Sequence, residues 1–137
     1  MLHCKKQKNR KMSEKIKYQL EYDLKCSTKV LFARLSTPSG LSEWFADDVN
    51  LRGDIYTFIW DDSEEKAALL NVKENKHVRF RWDGEDEETY FEFRIEIHEL
   101  TGDLALIVTD FAEKDEQESA IELWNSQIDN LKRAIGL

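Results

Sequence analysis

Few side chains of this sequence combine the types and spacings that catalysis or metal binding requires. His77 and His98 alternate with apolar residues and are expected to point outward from strands, and His3 lies in an N-terminal tail. No histidine is therefore placed to act as a base or a metal ligand, and no Gly-rich phosphate loop or nucleophile motif occurs. We predict no catalytic residue, no metal ion and no cofactor, and we expect a binding protein rather than an enzyme.

Acidic side chains form two clusters. One contains Asp61, Asp62, Glu64 and Glu65, and the other contains Asp83, Glu85, Asp86, Glu87 and Glu88. Neither cluster has the D-x-[DN]-x-[DN]-G spacing of the known calcium loop. We therefore interpret both as solvated turns.

Asp110 is a separate case, because it stands near the end of the last predicted strand. If its side chain pointed inward, it would be a buried carboxylate with a raised pKa and a candidate acid. We expect it instead to face solvent near the start of the following helix.

Nine aromatic side chains are the candidates for a binding site. A pocket for a small molecule is mostly apolar and aromatic, with a few placed polar groups. The same rings could instead simply fill the hydrophobic core, and the sequence leaves both interpretations open. The candidates are Trp44, Phe45, Phe58, Trp60, Phe80, Trp82, Phe91, Phe93 and Trp124.

The clearest element that could hold such a site is a long helix near the C-terminus. Its apolar residues step by three or four positions, which places them on one stripe. The stripe consists of Ile121, Trp124, Ile128, Leu131 and Ile135. Asp115 can cap the start and Gly136 can close the end. We predict a helix from Glu116 to Ile135, about 30 Å long at a rise of about 1.5 Å per residue.

The segments before this helix alternate between apolar and polar residues, as strands do. A half-buried strand is predicted from Ile16 to Cys26, followed by two short helices, of which Ser27 caps the first and Thr37-Pro38 starts the second. Six more strands are predicted, at Asp48 to Leu51, Ile55 to Trp60, Lys66 to Lys73, His77 to Trp82, Thr89 to Leu100 and Leu104 to Ala112. The short turns between them imply antiparallel neighbours.

Alternation also assigns the face that each strand turns toward the core. The residues expected inward are Ala68, Leu70 and Val72, then Val78, Phe80 and Trp82, then Phe91, Phe93, Ile95 and Ile97. Arg79 and Arg81 are expected on the outer face near Glu92, an arrangement that opposite charges on neighbouring strands favour. The strand from Ile55 to Trp60 is apolar on both sides, so its orientation stays open.

Composition narrows the class of protein. With 137 residues, 41% of them hydrophobic, the chain suits one domain with one core. Its formal net charge of −8 argues against nucleic-acid binding, which depends on Lys and Arg. No apolar run reaches the roughly 18 to 20 residues of a membrane span, so we expect no membrane insertion. The two cysteines form no disulfide framework, which favours the cytoplasm.

The N-terminal segment differs from the rest. Residues 1–11 carry five basic side chains and no acidic one: Lys5, Lys6, Lys8, Arg10 and Lys11. We expect residues 1–15 to be a basic, disordered extension, or part of it to be an upstream start before Met12. A single domain over residues 16–137 would follow.

Several segments carry a family resemblance: Val30 to Pro38, Leu41 to Phe45, Asp48 to Gly53, Val78 to Trp82, and Trp124 in the final helix. In their order and spacing they resemble the START-like, or helix-grip, superfamily, in its branch related to activators of the heat-shock-chaperone ATPase. Asp54 stands where the family usually has a second glycine. The resemblance implies an α+β fold in which a curved antiparallel sheet of about seven strands wraps around the long C-terminal helix, with two short helices after the first strand.

For function, the resemblance implies a cavity between the last helix and the sheet. Members use such cavities for hydrophobic molecules, while others are chaperone partners, and the fold does not choose between these. We expect a non-enzymatic domain that binds a small hydrophobic molecule through the nine aromatic residues. The alternative is a protein-interaction module, such as a chaperone-ATPase activator-like domain, acting through the acidic turns at Asp61 to Glu65 and Asp83 to Glu88. An enzyme built in the same cavity is a third interpretation, for which no base or nucleophile can be named.

Overall fold

A computed structural model describes residues 14–137 of the chain. Its elements are β1 (Lys15–Leu24), α1 (Thr28–Ser36), α2 (Pro38–Leu41), β2 (Asp48–Arg52), β3 (Ile55–Trp60), β4 (Ser63–Lys73), β5 (His77–Trp82), β6 (Phe91–Ile97), β7 (Leu104–Glu113) and α3 (Gln117–Ile135). A single 3₁₀ turn, Lys114–Glu116, joins β7 to α3. The basic extension predicted for the N-terminus lies, up to residue 13, outside the described residues.

The seven strands form one antiparallel sheet in the order β1-β7-β6-β5-β4-β3-β2. Short turns connect β2 to β7 in sequence, so each strand pairs with the next one along the chain. The first strand then pairs with the last, from Lys15 opposite Glu113 to Leu24 opposite Leu104. The predicted architecture, a curved antiparallel sheet with two short helices after β1 and a long C-terminal helix, is confirmed.

The core lies between the concave face of the sheet and the helices. Helix α1 contributes Leu31 and Leu35, α2 contributes Leu41, and α3 buries Trp124, Ile128 and Leu131 against the sheet. Ile121, which was predicted to belong to the buried stripe of α3, is only half-buried, and Ala120 is buried in its place. The stripe therefore begins one residue earlier than the spacing of the large apolar residues suggested.

The two ends of α3 differ. Gly136 ends the helix in the left-handed conformation with φ of 94°, and its N–H donates to the carbonyls of Lys132 and Arg133. The predicted cap by Asp115 is wrong, because the 3₁₀ turn shifts the helix start to Gln117 and no side chain caps it.

The corner between α1 and α2 has the helix caps that the sequence predicts. Ser27 Oγ accepts from the N–H of Val30, and Thr37 Oγ1 accepts from the N–H of Gly40, so both predicted caps are present. Gly40 is buried, and a Cβ atom added to it would lie 2.0 Å from the backbone oxygen of Ala33. Only glycine fits where the two helices meet.

Replacement of Gly40 by alanine is therefore expected to lower the free energy of unfolding by about 1 to 3 kcal/mol, because α1 and α2 must move apart. Urea unfolding followed by circular dichroism measures this. Ser39→Ala, at the adjacent exposed position, is the matched control and should change stability by less than about 0.5 kcal/mol. Equal stability of the two variants would show that α1 and α2 can move apart without lowering the free energy of unfolding.

The inward face predicted for β4 is wrong for the part of the strand before Asn71. Ala67 is buried and Leu69 packs against the core, whereas Leu70 and Val72 are exposed. Residues directly opposite each other on paired strands share a face, and Ala67 lies opposite both Tyr56 and the inward-facing Trp82. A bulge between Leu69 and Asn71 then changes the register, so that Val72 lies opposite the buried Val78 on the predicted inward face, although Val72 is itself exposed near the end of the strand.

The boundaries of other strands also differ from the predicted ones. β4 begins at Ser63 rather than Lys66, and β6 is confined to Phe91–Ile97 within the longer strand predicted. Ile97 is 49% exposed although it was expected inward, because it lies at the end of β6. β3, which the sequence left unoriented, turns Tyr56 and Phe58 inward and leaves Ile55 exposed.

The convex face carries a charged cluster at its centre. Arg79 donates to Glu92 Oε2 at 3.2 Å, and Arg94 approaches the same oxygen at 3.4 Å, so the predicted cross-strand pair of Arg79 and Glu92 is present. Glu92 is nevertheless only 4% exposed, because the two arginines cover it. Arg81 bonds instead to the backbone oxygens of Thr89 and Glu87.

Candidate ligand-binding cleft

The nine aromatic residues singled out from the sequence form one connected cluster on the concave side. Phe45, which directly follows the α2 corner, lies in the middle of it. Its ring is 5.1 Å from that of Phe58, 6.0 Å from that of Trp124 and 6.4 Å from that of Trp82, measured between centroids. Further ring contacts tie in Trp44, Trp60, Phe80, Phe91 and Phe93.

The structure divides this cluster into a wall and a core. Phe45, Trp82 and Trp124 line a cleft, whereas Phe58, Phe80, Phe91 and Phe93 are fully enclosed. The two remaining tryptophans are fixed to backbone by their indole N–H groups. Trp44 donates to the oxygen of Arg34 at 2.8 Å, and Trp60 donates to that of Phe45 at 3.0 Å. Six of the nine candidates therefore stand behind the cleft.

The cleft lies between β7 and the first half of α3. It is lined by Lys15, Phe45, Trp82, Asp110, Phe111, Ala112, Glu116, Ala120, Leu123, Trp124 and Gln127. Its volume is about 50 Å³. Because one water molecule needs about 10 to 15 Å³ on this scale, the cleft holds a few waters or one end of a larger molecule.

Asp110 lies in the wall of this cleft, so the expectation that it faces solvent is wrong. Its Oδ2 accepts from Trp124 Nε1 at 2.9 Å and from the Tyr18 hydroxyl at 3.5 Å. Its Oδ1 accepts from the N–H of Phe111 at 2.8 Å. The signal that could have placed it was available, because Leu104, Leu106 and Val108 are buried and Asp110 continues the same alternation.

The surroundings of Asp110 change its acidity. Burial raises its pKa to about 6, while the hydrogen bonds from Trp124, Phe111 and Tyr18 and the charge of Lys15 oppose that rise. Burial, followed by the negative charge of Asp110, also raises the pKa of the Tyr18 hydroxyl, which therefore stays protonated. The cleft thus contains a carboxyl group that exchanges its proton near neutral pH.

The cleft opens at one end of the sheet, where β1 begins and β7 ends. Strand pairing places the β3–β4 turn and the β5–β6 loop at this same end, since Trp60 lies opposite Ser63 and Ala67 opposite Trp82. The exposed acidic residues that gather here are Asp61, Asp62, Glu64, Asp83, Asp86, Glu87, Glu88, Asp115 and Glu116. We call this set the acidic end. At its rim Lys15 Nζ is ion-paired with Glu85 at 2.6 Å.

The histidines of the described residues lie outside the cleft. His77 Nε2 is 2.6 Å from Asn71 Oδ1, and burial together with Arg94 lowers its pKa. His98 shares the exposed surface with Glu21 and Asp23, and one potential ligand atom from each of the three lies within 4.8 Å of the others. Sequence reasoning missed this group, because β7 and the β6–β7 turn bring its members together from distant parts of the chain.

The family model for the START-like superfamily domain matches residues 12–137. The chain belongs to the START-like superfamily. Domains of this superfamily bind hydrophobic ligands or mediate interactions. No curated protein sequence matches this START-like domain.

Solved structures agree with this assignment. A Bacteroides fragilis protein determined by solution NMR is 39% identical, with 91% of this chain and 94% of that one covered and a TM-score of 0.66. The Aha1 dimer from Colwellia psychrerythraea is 19% identical, with 89% and 97% covered and a TM-score of 0.74. The second likeness shows the fold alone. None of the helices in residues 14–137 has the length and apolar character needed to cross a membrane.

Proposed function

We propose that this START-like domain is a non-enzymatic binding protein for a small hydrophobic molecule, held in the cleft between α3 and the sheet. The observation that carries the proposal is the cleft itself, whose wall combines aromatic rings with few polar groups. A START-like domain that left its aromatic cluster completely closed would give no support to such a role.

The division of the aromatic cluster supports a specific set of contacts. Phe45, Trp82 and Trp124 would touch the ligand directly, with Leu123 and Phe111 completing the apolar wall. Phe58, Phe91 and Phe93 would hold those rings in place, because they pack directly behind them. Phe80 packs in turn against these three phenylalanines. Trp44 belongs to this supporting set, so its replacement should affect stability more than ligand contact.

The chemistry of the cleft favours binding over catalysis. Asp110 could exchange a proton, but neither described histidine lines the cleft. The apolar wall offers dispersion and the removal of hydrocarbon from water, at about 25 cal/mol per Å² buried. Those are the interactions of a carrier or sensor of apolar molecules.

Filling the cleft tests this proposal. Ala120 lines the cleft from α3, and Ala120→Leu should place its added carbons in the open space. We expect the affinity for an uncharged apolar fluorescent probe such as Nile red to fall by about tenfold or more, because about 1.4 kcal/mol of contact is lost. Ala134→Leu, the same change on the same helix outside the cleft, is the matched control and should leave probe affinity unchanged.

Two results would contradict the proposal. One is a folded wild-type domain that takes up no apolar probe and carries no small molecule when purified from its own host, as seen by native mass spectrometry. The other is equal loss of probe binding in Ala120→Leu and Ala134→Leu, which would place the probe elsewhere.

The acidic end favours a second candidate, a protein-interaction module of the kind that activates a chaperone ATPase. Its exposed carboxylates from the β3–β4 turn and the β5–β6 loop are gathered on one side of the molecule. A charged interface weakens as ionic strength rises, since screening shortens to about 8 Å at physiological salt, whereas an apolar cleft does not. A stoichiometric partner recovered at low salt and lost at high salt would favour this candidate, and recovery of none would remove it.

A further inference from the structure

Acidic groups outnumber basic ones in the lining of the cleft. Asp110 and Glu116 both line it, one in the wall and one at the exposed rim. Among the described residues lining the cleft, Lys15 is the one cation, and its charge is engaged by Glu85 at 2.6 Å. The acidic end surrounds the opening and adds further negative charge. An incoming molecule therefore meets a negative potential.

The apolar wall suits a cation as well as hydrocarbon. Phe45, Trp82, Phe111 and Trp124 contribute aromatic rings to the cleft that Asp110 lines, and Trp124 donates a hydrogen bond to its carboxyl group. The face of an aromatic ring is negative, and it attracts an organic cation by about 0.5 to 2 kcal/mol, with tryptophan the strongest. The aromatic rings and the carboxylate therefore both favour a cationic ligand.

The half-buried position of Asp110 strengthens its preference for a cation. A carboxylate removed from water is costly unless it is paired, and Asp110 compensates that cost through three hydrogen-bond donors, Trp124 Nε1, the Tyr18 hydroxyl and the Phe111 N–H. A cation arriving in the cleft would add a full opposite charge to these neutral donors and to the charge of Lys15, which is engaged by Glu85. A neutral ligand would add no opposite charge beside Asp110, and an anionic ligand would be repelled by it.

We propose that the ligand of this cleft is an amphipathic amine, whose protonated amino group enters the cleft beside Asp110 while its apolar part lies along Phe111 and Leu123. The proposal rests on the proposed function, because it names the chemical class of the molecule bound at the same site. An ammonium group fits the cleft volume of about 50 Å³, and the hydrocarbon then extends toward the opening.

The assignment predicts a dependence of affinity on pH. Lys15 and Tyr18 from β1 and Trp124 from α3 act on Asp110, and Glu116 lines the same cleft. With the pKa of Asp110 raised to about 6, the carboxylate predominates at neutral pH and the neutral acid in weak acid. The amine pairs with the carboxylate, so its affinity should fall by about tenfold between about pH 7.5 and pH 5.

A matched series of probes tests the class. n-Octylammonium, n-octanol and n-octanoate share one hydrocarbon chain and differ in head-group charge. Titration calorimetry on the full chain at neutral pH should give n-octylammonium an affinity at least about tenfold above either of the others. Asp110→Asn should abolish that advantage, and Glu116→Gln should reduce it by a smaller factor without altering the buried wall. Asp103→Asn, in the exposed β6–β7 turn, is the control and should leave all three affinities unchanged.

The outcomes separate this proposal from the one on which it rests. If n-octanol binds as tightly as n-octylammonium, or if the affinity for n-octylammonium is the same at both pH values, the amine assignment is wrong while the apolar cleft stands. If none of the three probes binds to the folded domain, both proposals fail. Loss of folding in Asp110→Asn would leave Glu116→Gln and the wild-type pH series to decide.

Discussion

Replacement of Trp124 by alanine is expected to lower the free energy of unfolding by about 3 to 5 kcal/mol, the usual cost of removing a large buried aromatic side chain. Trp124 is 6% exposed, and its ring packs at 6.0 Å from Phe45 and 5.8 Å from Phe93. It is also the contact through which α3 meets the carboxyl group of Asp110. The loss would therefore combine a cavity with a buried carboxylate that lacks one donor. Urea unfolding at neutral pH, followed by far-ultraviolet circular dichroism, measures it.

Trp124→Phe separates the two parts of this effect. It keeps an aromatic ring in place but removes the N–H that donates to Asp110 Oδ2 at 2.9 Å. We expect a smaller loss of about 1 to 3 kcal/mol, typical of a buried polar group deprived of its partner. A loss in Trp124→Phe as large as that in Trp124→Ala would show that the hydrogen bond, and not ring packing, joins α3 to the sheet. If neither variant lost stability, the helix would not depend on this residue.

The second large effect concerns Asp110 and pH. Its pKa rises from 3.8 to about 6 on folding, so the folded state binds the proton more tightly than the unfolded state. Where the folded state holds more protons, the free energy of unfolding falls as pH rises. This contribution is fully present below about pH 4, and it is lost by about pH 7, with an upper limit of about 3 kcal/mol.

Asp110→Asn isolates this contribution, because asparagine has no proton to exchange. From pH 4 to pH 7, the free energy of unfolding of the wild type should fall relative to that of Asp110→Asn by at most about 3 kcal/mol. Other carboxyl groups titrate equally in both proteins and cancel in the difference. Urea unfolding at a series of pH values measures it. A difference that stays constant with pH would show that Asp110 is solvated in the folded protein.

Local signals in the sequence determined the fold to a large extent. The caps of α1 and α2, the glycine that ends α3 and the alternation in β5 each act over a few residues, and each is present as expected. Where an element depended on distant partners, local reasoning was weaker. The face of β4 is set by Tyr56 and Trp82 on the neighbouring strands, and the start of α3 is set by the turn that follows β7.

In the candidate site, too, local sequence predicts some features, whereas contacts between distant residues decide others. All nine aromatic residues chosen from the sequence belong to one cluster, because large apolar residues at inward positions of neighbouring strands must meet. Their chemistry could not say which rings border open space. Phe45, Trp82 and Trp124 do so only because β7 and the first half of α3 leave a gap in front of them.

The surroundings and the acidity of Asp110 could not be predicted from the sequence alone. Alternation, turn residues and helical spacing determined a curved antiparallel sheet with a long C-terminal helix, since those signals reflect the repeat of each element. Tertiary structure alone decided that a carboxyl group shares a small cleft with Trp124 and Tyr18, and how its proton is held. The physical reason is that burial and charge act through space, so that a residue's acidity depends on atoms far from it along the chain.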